Sequence, residues 1–185
     1  MASDTGRQPA AVKRQIIKAM AVIRRPRDGA LLVSEHVAPE HADPADPPFQ
    51  RPLGGHVEFG EHAADTIHRE FGEEIGQVVT DVRLLGVLEN IFDWRGETEH
   101  EVVFIFTAAF ADAAAYEVEE QPILDNAGRR VIWRAAYAVS PPLYPAGLSE
   151  LIASAGSQPA RSGSLPAFVV RLHVPGASLI RRDGR

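Results

Sequence analysis

Cysteine is absent from all 185 residues. Disulfide staples, thiolate metal sites and cysteine nucleophiles are thereby excluded, and the absence fits a reducing compartment. Long apolar runs are missing as well. None approaches the length of a membrane span, and the opening MASDTGRQPAAVKRQ lacks the apolar stretch of a secretory leader. The expectation is a soluble, cytoplasmic protein. Nor is there a basic excess: the formal net charge is −6. A dedicated nucleic-acid binder usually shows a basic face, so no nucleic-acid partner is expected. The acidity does not exclude a phosphate-bearing small molecule, because a bound divalent cation reverses the local sign. No serine–histidine–acid order stands out, and the seven histidines show no zinc spacing.

What remains has ordinary globular composition, with 45% hydrophobic and 24% charged residues. The length suits about one domain that buries roughly 70% of its unfolded surface. Residues 1–12 read as a loose polar tail. Gln15–Arg25 fits a strand or a helix by pattern alone. The turn signal PRDG (Pro26–Gly29) and the apolar ALLVSE after it favour a β-hairpin. The proline-rich stretch His36–Gln50 reads as a surface loop. Val78–Trp94 reads as a strand, RGETEH as a turn, and Glu101–Phe110 as a strand rich in β-branched and aromatic residues. A loop at Gln121–Ala127, a strand at Arg129–Ala136 and a helix over about Ala146–Ala155 follow. Ser157–Pro166 reads as a linker, and Ala167–Val174 as one further strand at a sheet edge or a dimer contact. This order predicts an α/β fold with helices packed on a mixed sheet.

The most informative stretch is GGHVEFGEHAADTIHREFGEEIG, Gly54–Gly76. From about His62 to Ile75 the pattern is helical. Ala64, Ile67, Phe71 and Ile75 make one apolar stripe, and Gly76 suits a left-handed residue just past the end. Glu61 and Asp65 lie near the start, where negative charge is favoured. Glu70, Glu73 and Glu74, at i, i+3 and i+4, span an arc of about 100°. Like charges at these spacings destabilise a helix. Two carboxylates about 6 Å apart repel by about 3 kcal/mol at an effective dielectric of 20. Arg69 can relieve part of this through Glu73 or Glu61. A hard divalent cation bound by oxygens would relieve the rest. The plain alternative is a solvated acidic face. The glycine pair weighs against it, since Gly54 and Gly55 permit close backbone approach and such a loop feeding a helix can present amides to a phosphate.

Together these residues resemble the Nudix box. Its identity-specified positions are met by Gly55, Glu61, Arg69, Glu70, Glu73, Glu74 and Gly76, with Phe71 at an apolar position. At about 7% usage per residue type, such a match in one window has a chance on the order of 10⁻⁸. The departure is Gln77, where the family usually carries an aliphatic residue; Val78 follows at once, and a local repacking is expected. The resemblance covers about Gln15–Ser154 and delimits a Nudix domain at 13–157, with 158–185 a C-terminal extension. It implies the Nudix α/β/α sandwich and metal-dependent hydrolysis of a nucleoside diphosphate linked to another group. It also implies roles. Glu70, Glu73 and Glu74 hold Mg²⁺ or Mn²⁺, Arg69 holds a glutamate in position, and Glu61 pairs with Arg69. Beside these roles, the residues themselves place Gly54 and Gly55 toward a substrate phosphate, and His56 reads as a phosphate or base contact or, by preference, as a plain turn residue. A homodimer is compatible with the resemblance.

Other residues invite weaker readings. An extra catalytic acid is sought among Glu89, Glu101, Glu117, Glu119 and Glu120, each of which also fits a solvated charge. Phe92, Trp94 and Trp133 suit base stacking or, by preference, core packing. A Nudix fold that binds a nucleotide-like ligand without cleaving it, and a hydrolase of a non-nucleotide substrate, are the competing readings. The sequence does not choose among ADP-ribose, nucleotide sugars, dinucleoside polyphosphates and damaged nucleoside triphosphates.

Overall fold

The computed structural model describes residues 14–36, 48–94, 97–124, 126, 129–156 and 169–173. In chain order these form β1 (Ile16–Val22), β2 (Leu31–His36), β3 (Phe49–Arg51), β4 (Leu53–His56), α1 (Ala63–Ile75), β5 (Val79–Trp94) and β6 (Glu97–Phe110). A short 3₁₀ helix (Ala113–Glu117), β7 (Glu120–Pro122), β8 (Arg130–Arg134), α2 (Leu148–Gly156) and β9 (Val169–His173) complete the order. One sheet has the order β4-β1-β6-β5-β9 and the other β3-β2-β8-β7. The first is mixed: β1 runs parallel to β6 and β5 parallel to β9, and its other pairs are antiparallel. The second is antiparallel throughout. The α/β sandwich is as expected from the sequence, but the strands divide into two sheets.

Strand β1 explains why its sequence looked ambiguous. Alternate side chains of a strand point to opposite faces. Ala19, Ala21 and Ile23 join the core beneath α1, with Ile67, Phe71 and Ile75. Met20 and Val22 join a second core with Leu148 and Leu151 of α2. A strand covered on both faces reads as an unbroken apolar run. The Phe71 ring is wholly buried and meets Phe110 edge-on at 6.2 Å between centroids.

Several expectations need correction. The PRDG turn forms: the Arg25 side chain holds Asp28 at 2.6 Å, and Gly29 adopts φ 72°. It does not close a regular hairpin. The flanks are joined by the Arg24–Leu31 bridge and by backbone bonds from Arg25 N to the Ala30 carbonyl at 2.8 Å and from Leu32 N to the Ile23 carbonyl at 3.0 Å, and β1 and β2 then enter different sheets. The turn expected at RGETEH is largely strand, since Glu97–His100 pair with Ile91–Trp94. Within the loop expected at Gln121–Ala127, Gln121 and Pro122 form part of β7, paired to β8. Helix α2 starts two residues later than expected, and the last strand lies at a sheet edge. Residues 1–12, 37–47, 95–96 and 157–166 lie outside the described residues, as does the side chain of Trp94.

Candidate active site

Strand β4 brings Gly55 against Glu70, past the middle of α1, and each glycine of the pair is there for a different steric reason. A Cβ on Gly54 would lie 2.1 Å from the Ala19 carbonyl oxygen, and its φ is 138°. Gly54 therefore lets β4 press against β1. A Cβ on Gly55 would instead lie 2.1 Å from Glu70 Oε1. Gly55 leaves room for a carboxylate.

Arg69 gathers three carboxylates and a backbone carbonyl around one guanidinium. Its Nε donates to Glu61 Oε1 at 2.9 Å, and Nη2 donates to Glu61 Oε2 at 3.1 Å and to the His56 carbonyl at 3.0 Å. Its Nη1 donates to Glu70 Oε1 at 2.9 Å and to Glu73 Oε2 at 3.0 Å. A guanidinium has five N–H donors, and these bonds employ all of them. Arg69 thus has no donor left for a ligand. These hydrogen bonds, Glu61 first, hold its guanidinium above the usual range.

Glu61 is equally committed. Besides Arg69 it accepts from the Glu58 amide at 3.1 Å and the Thr66 hydroxyl at 2.8 Å. Arg69, then the Glu58 amide, draw its pKa down to about 2. It ties the loop to the first turn of α1, whose cap position His62 makes no side-chain capping bond. At the other end Gly76 is left-handed, φ 66°, and the Gln77 amide donates to the Phe71 carbonyl at 3.0 Å. The Gly76 amide donates to the Gly72 carbonyl at 3.1 Å, which is the αL cap. Gln77 is tolerated because this helix end uses its backbone. Val78 does not take the apolar place, being 69% exposed, and Val79 enters the core.

Glu70, Glu73 and Glu74 line one cavity of about 400 Å³, and Gly54, Gly55, His56 and Arg69 share its wall. Glu61 is not part of that lining. The structure also brings in residues that the sequence reading missed: Arg51, Glu58, Ile123, Asn126 and Arg129. The segment after β7 is held there by the Leu124 amide, which donates to the Glu74 carbonyl at 2.8 Å. Glu58 sits in the spacer between Gly55 and Glu61, and Arg51 lies just ahead of the glycine pair. Nothing in their local pattern tells which way they point.

The acids considered outside the box are engaged elsewhere, and none is among the residues lining the cavity. Glu89 meets His100 at 3.0 Å, and the buried Glu101 meets Lys18 at 2.5 Å. Glu117 and Glu119 bind Arg27 and Arg25 at 2.9 Å, and Glu120 binds Arg130 at 3.1 Å. Trp133 is a packing residue, stacked on Tyr116 at 6.0 Å with its Nε1 donating to the Val118 carbonyl. Phe92 packs edge-on against Tyr144.

The donor set suits a hard divalent cation. Glu58, Glu70, Glu73 and Glu74 bring carboxylate oxygens to the lining, beside a glycine that leaves space against Glu70. Among the described residues no three such side chains already converge on one point. Mg²⁺ does not require that they do, since it commonly takes one or two carboxylates and completes its shell with water and phosphate oxygens.

The NUDIX domain family matches residues 15–142. The structure is similar to the MutT NUDIX hydrolase from Burkholderia pseudomallei, at 25% identity and a TM-score of 0.55, over 76% of this chain and 98% of that one. Its fold is similar to that of a mutator MutT protein from Bacillus halodurans, at 18% identity and a TM-score of 0.52, over 86% and 88% of the two chains. No curated protein matches the chain significantly. The family match spans more than half of the sequence and contains the whole glycine–glutamate segment, so the chain belongs to the Nudix hydrolase family, as an enzyme of the pyrophosphohydrolase type.

Proposed function

We propose that this protein hydrolyses the phosphoanhydride of a nucleoside diphosphate linked to another moiety, with Mg²⁺ or Mn²⁺ held by Glu70, Glu73 and Glu74. The observation that carries the reading is the saturated Arg69. It fixes Glu70 and Glu73 by direct hydrogen bonds on the wall of a cavity that Glu74 and both glycines share. Crowding three carboxylates onto one helix face is costly for stability alone.

When bound, the cation supplies Lewis acidity toward phosphoryl oxygens and lowers the pKa of an attacking water. The chain does the rest. One cavity carboxylate takes the proton of the water as its oxygen attacks phosphorus, and the bridging P–O bond breaks with its electron pair leaving on the departing phosphate. Arg69 keeps the carboxylates in place, Glu61 keeps Arg69 in place, and Gly55 gives Glu70 its room. Residues 13–157 are the catalytic unit in this reading, in a cytoplasmic protein.

The test is a panel of ADP-ribose, nucleotide sugars, dinucleoside polyphosphates and oxidised nucleoside triphosphates with Mg²⁺ or Mn²⁺, on wild type and Glu74→Gln. Turnover of at least one substrate is expected, falling on the order of a hundredfold or more in the variant. Turnover unchanged in Glu74→Gln refutes the metal assignment. Ligand binding without any turnover identifies a sensor instead.

A further inference from the structure

The cavity wall carries two cations beside the saturated Arg69: Arg51 at the end of β3 and Arg129 just before β8. They come from distant parts of the chain and from different local structures. Arg129 is fixed by its backbone, its amide donating to the Asn126 carbonyl at 3.1 Å and its carbonyl accepting from the Ile123 amide at 3.1 Å. That same segment is tethered to α1 through Leu124. Arg51 is half-buried and shares the cavity wall with Arg129, Glu70 and Glu74. Two like charges held near one another in a partly desolvated cavity are costly on their own. They become favourable when an anion with several oxygens lies between them, and a guanidinium fork matches phosphoryl oxygens in pairs.

We propose that Arg51 and Arg129 form the phosphoryl-binding wall of this cavity and take oxygens of the phosphoanhydride that the glutamate side acts on. This rests on the hydrolase reading above for the identity of the anion. The pair is a substrate-binding feature brought together by the fold and lies outside the Gly54–Gly76 segment. Its chemistry selects a ligand with at least two adjacent phosphoryl groups over a phosphate monoester.

The probe is methylenediphosphonate, a diphosphate analogue whose carbon bridge cannot be hydrolysed. Its affinity for the full chain in Mg²⁺ is measured by calorimetry, and Mg²⁺ alone is titrated separately. Arg51→Gln and Arg129→Gln are each expected to weaken diphosphonate binding at least about tenfold. Mg²⁺ binding should be unchanged or tighter, because a positive charge near Glu70 and Glu74 has been removed. Arg51→Lys should restore only part of the affinity, since an ammonium does not reproduce the planar fork. Diphosphonate affinity unchanged in both glutamine variants overturns the proposal. So does a parallel loss of Mg²⁺ and diphosphonate binding, which makes the arginines counter-ions of the glutamates. Arg129→Gln keeps the test alive if Arg51→Gln does not fold. A chain inactive on every substrate whose variants still lose diphosphonate affinity refutes the hydrolase reading and upholds the arginine pair. An active chain whose KM is unchanged in both variants does the reverse.

Discussion

Replacing Gly55 by alanine puts a methyl group where the Glu70 carboxylate sits. The added Cβ would lie 2.1 Å from Oε1, 2.4 Å from Cδ and 2.8 Å from Oε2. Ordinary contact begins near 3.4 Å, so Oε1 must retreat by about 1.3 Å. Its bond to Arg69 Nη1 is 2.9 Å long and does not survive that shift. The displacement exceeds the roughly 0.5 Å tolerance of a working site. A misplacement of about 1 Å costs on the order of a hundredfold in rate. Stability should change far less, because the obstacle is the end of a flexible side chain and the lost ion pair is partly exposed, worth about 1 kcal/mol or less. Gly54→Ala is the contrast. There the Cβ strikes the Ala19 backbone at 2.1 Å and φ is 138°, so β4 must leave β1 and at least about 3 kcal/mol should be lost. Steady-state hydrolysis, Mg²⁺ titration and thermal melting on both variants separate the two effects. Near-normal activity in Gly55→Ala, or a melting loss equal to that of Gly54→Ala, refutes the assignment of Gly55 to the room around Glu70.

Acid stability should report Glu61. Its pKa is depressed from 4.5 to about 2 in the folded protein, chiefly by Arg69. The stabilisation is then complete above about pH 4.5 and is lost as pH falls toward 2. Melting temperature against pH should drop less steeply across that window in Glu61→Gln; identical slopes dismiss the Glu61–Arg69 linkage. At the helix end, Gln77→Leu should alter stability by no more than about 0.5 kcal/mol. Gln77→Pro deletes the amide that bonds Phe71 and should cost roughly 1–3 kcal/mol. Denaturant titration of the two decides whether backbone or side chain matters there.

Helix α1 and its acidic face were legible because every signal is local. The apolar stripe, the glycine at the end and the glutamate spacing all lie within a few turns of one element. The long β5–β6 ladder was legible except for its tip, because β-branched and aromatic density marks a strand but hardly marks its ends. The PRDG segment was legible as a turn, since Asp28 and Gly29 act on their own neighbours. That it separates two sheets was not, because the partners of β1 and β2 lie at Glu101–Thr107 and Val131–Arg134. Glu101, Glu117 and Glu119 looked available for the same reason, since their partners Lys18, Arg27 and Arg25 are 83 to 94 residues away, whereas Glu89 and Glu120 meet His100 and Arg130 on the neighbouring strand, 11 and 10 residues away.

By itself the sequence determined the family and the acidic face, because the box residues sit at spacings that one loop and one helix convert directly into a shared face. Only the tertiary structure decided how they are held and what faces them. It saturated Arg69, gave Gly54 to packing and Gly55 to Glu70, and carried Arg51 and Arg129 to the same cavity. The bonds of Arg69 reach no further than His56, 13 residues away, but the packing of Gly54 on Ala19 and the meeting of Arg51 with Arg129 join segments tens of residues apart, and no local periodicity encodes such contacts.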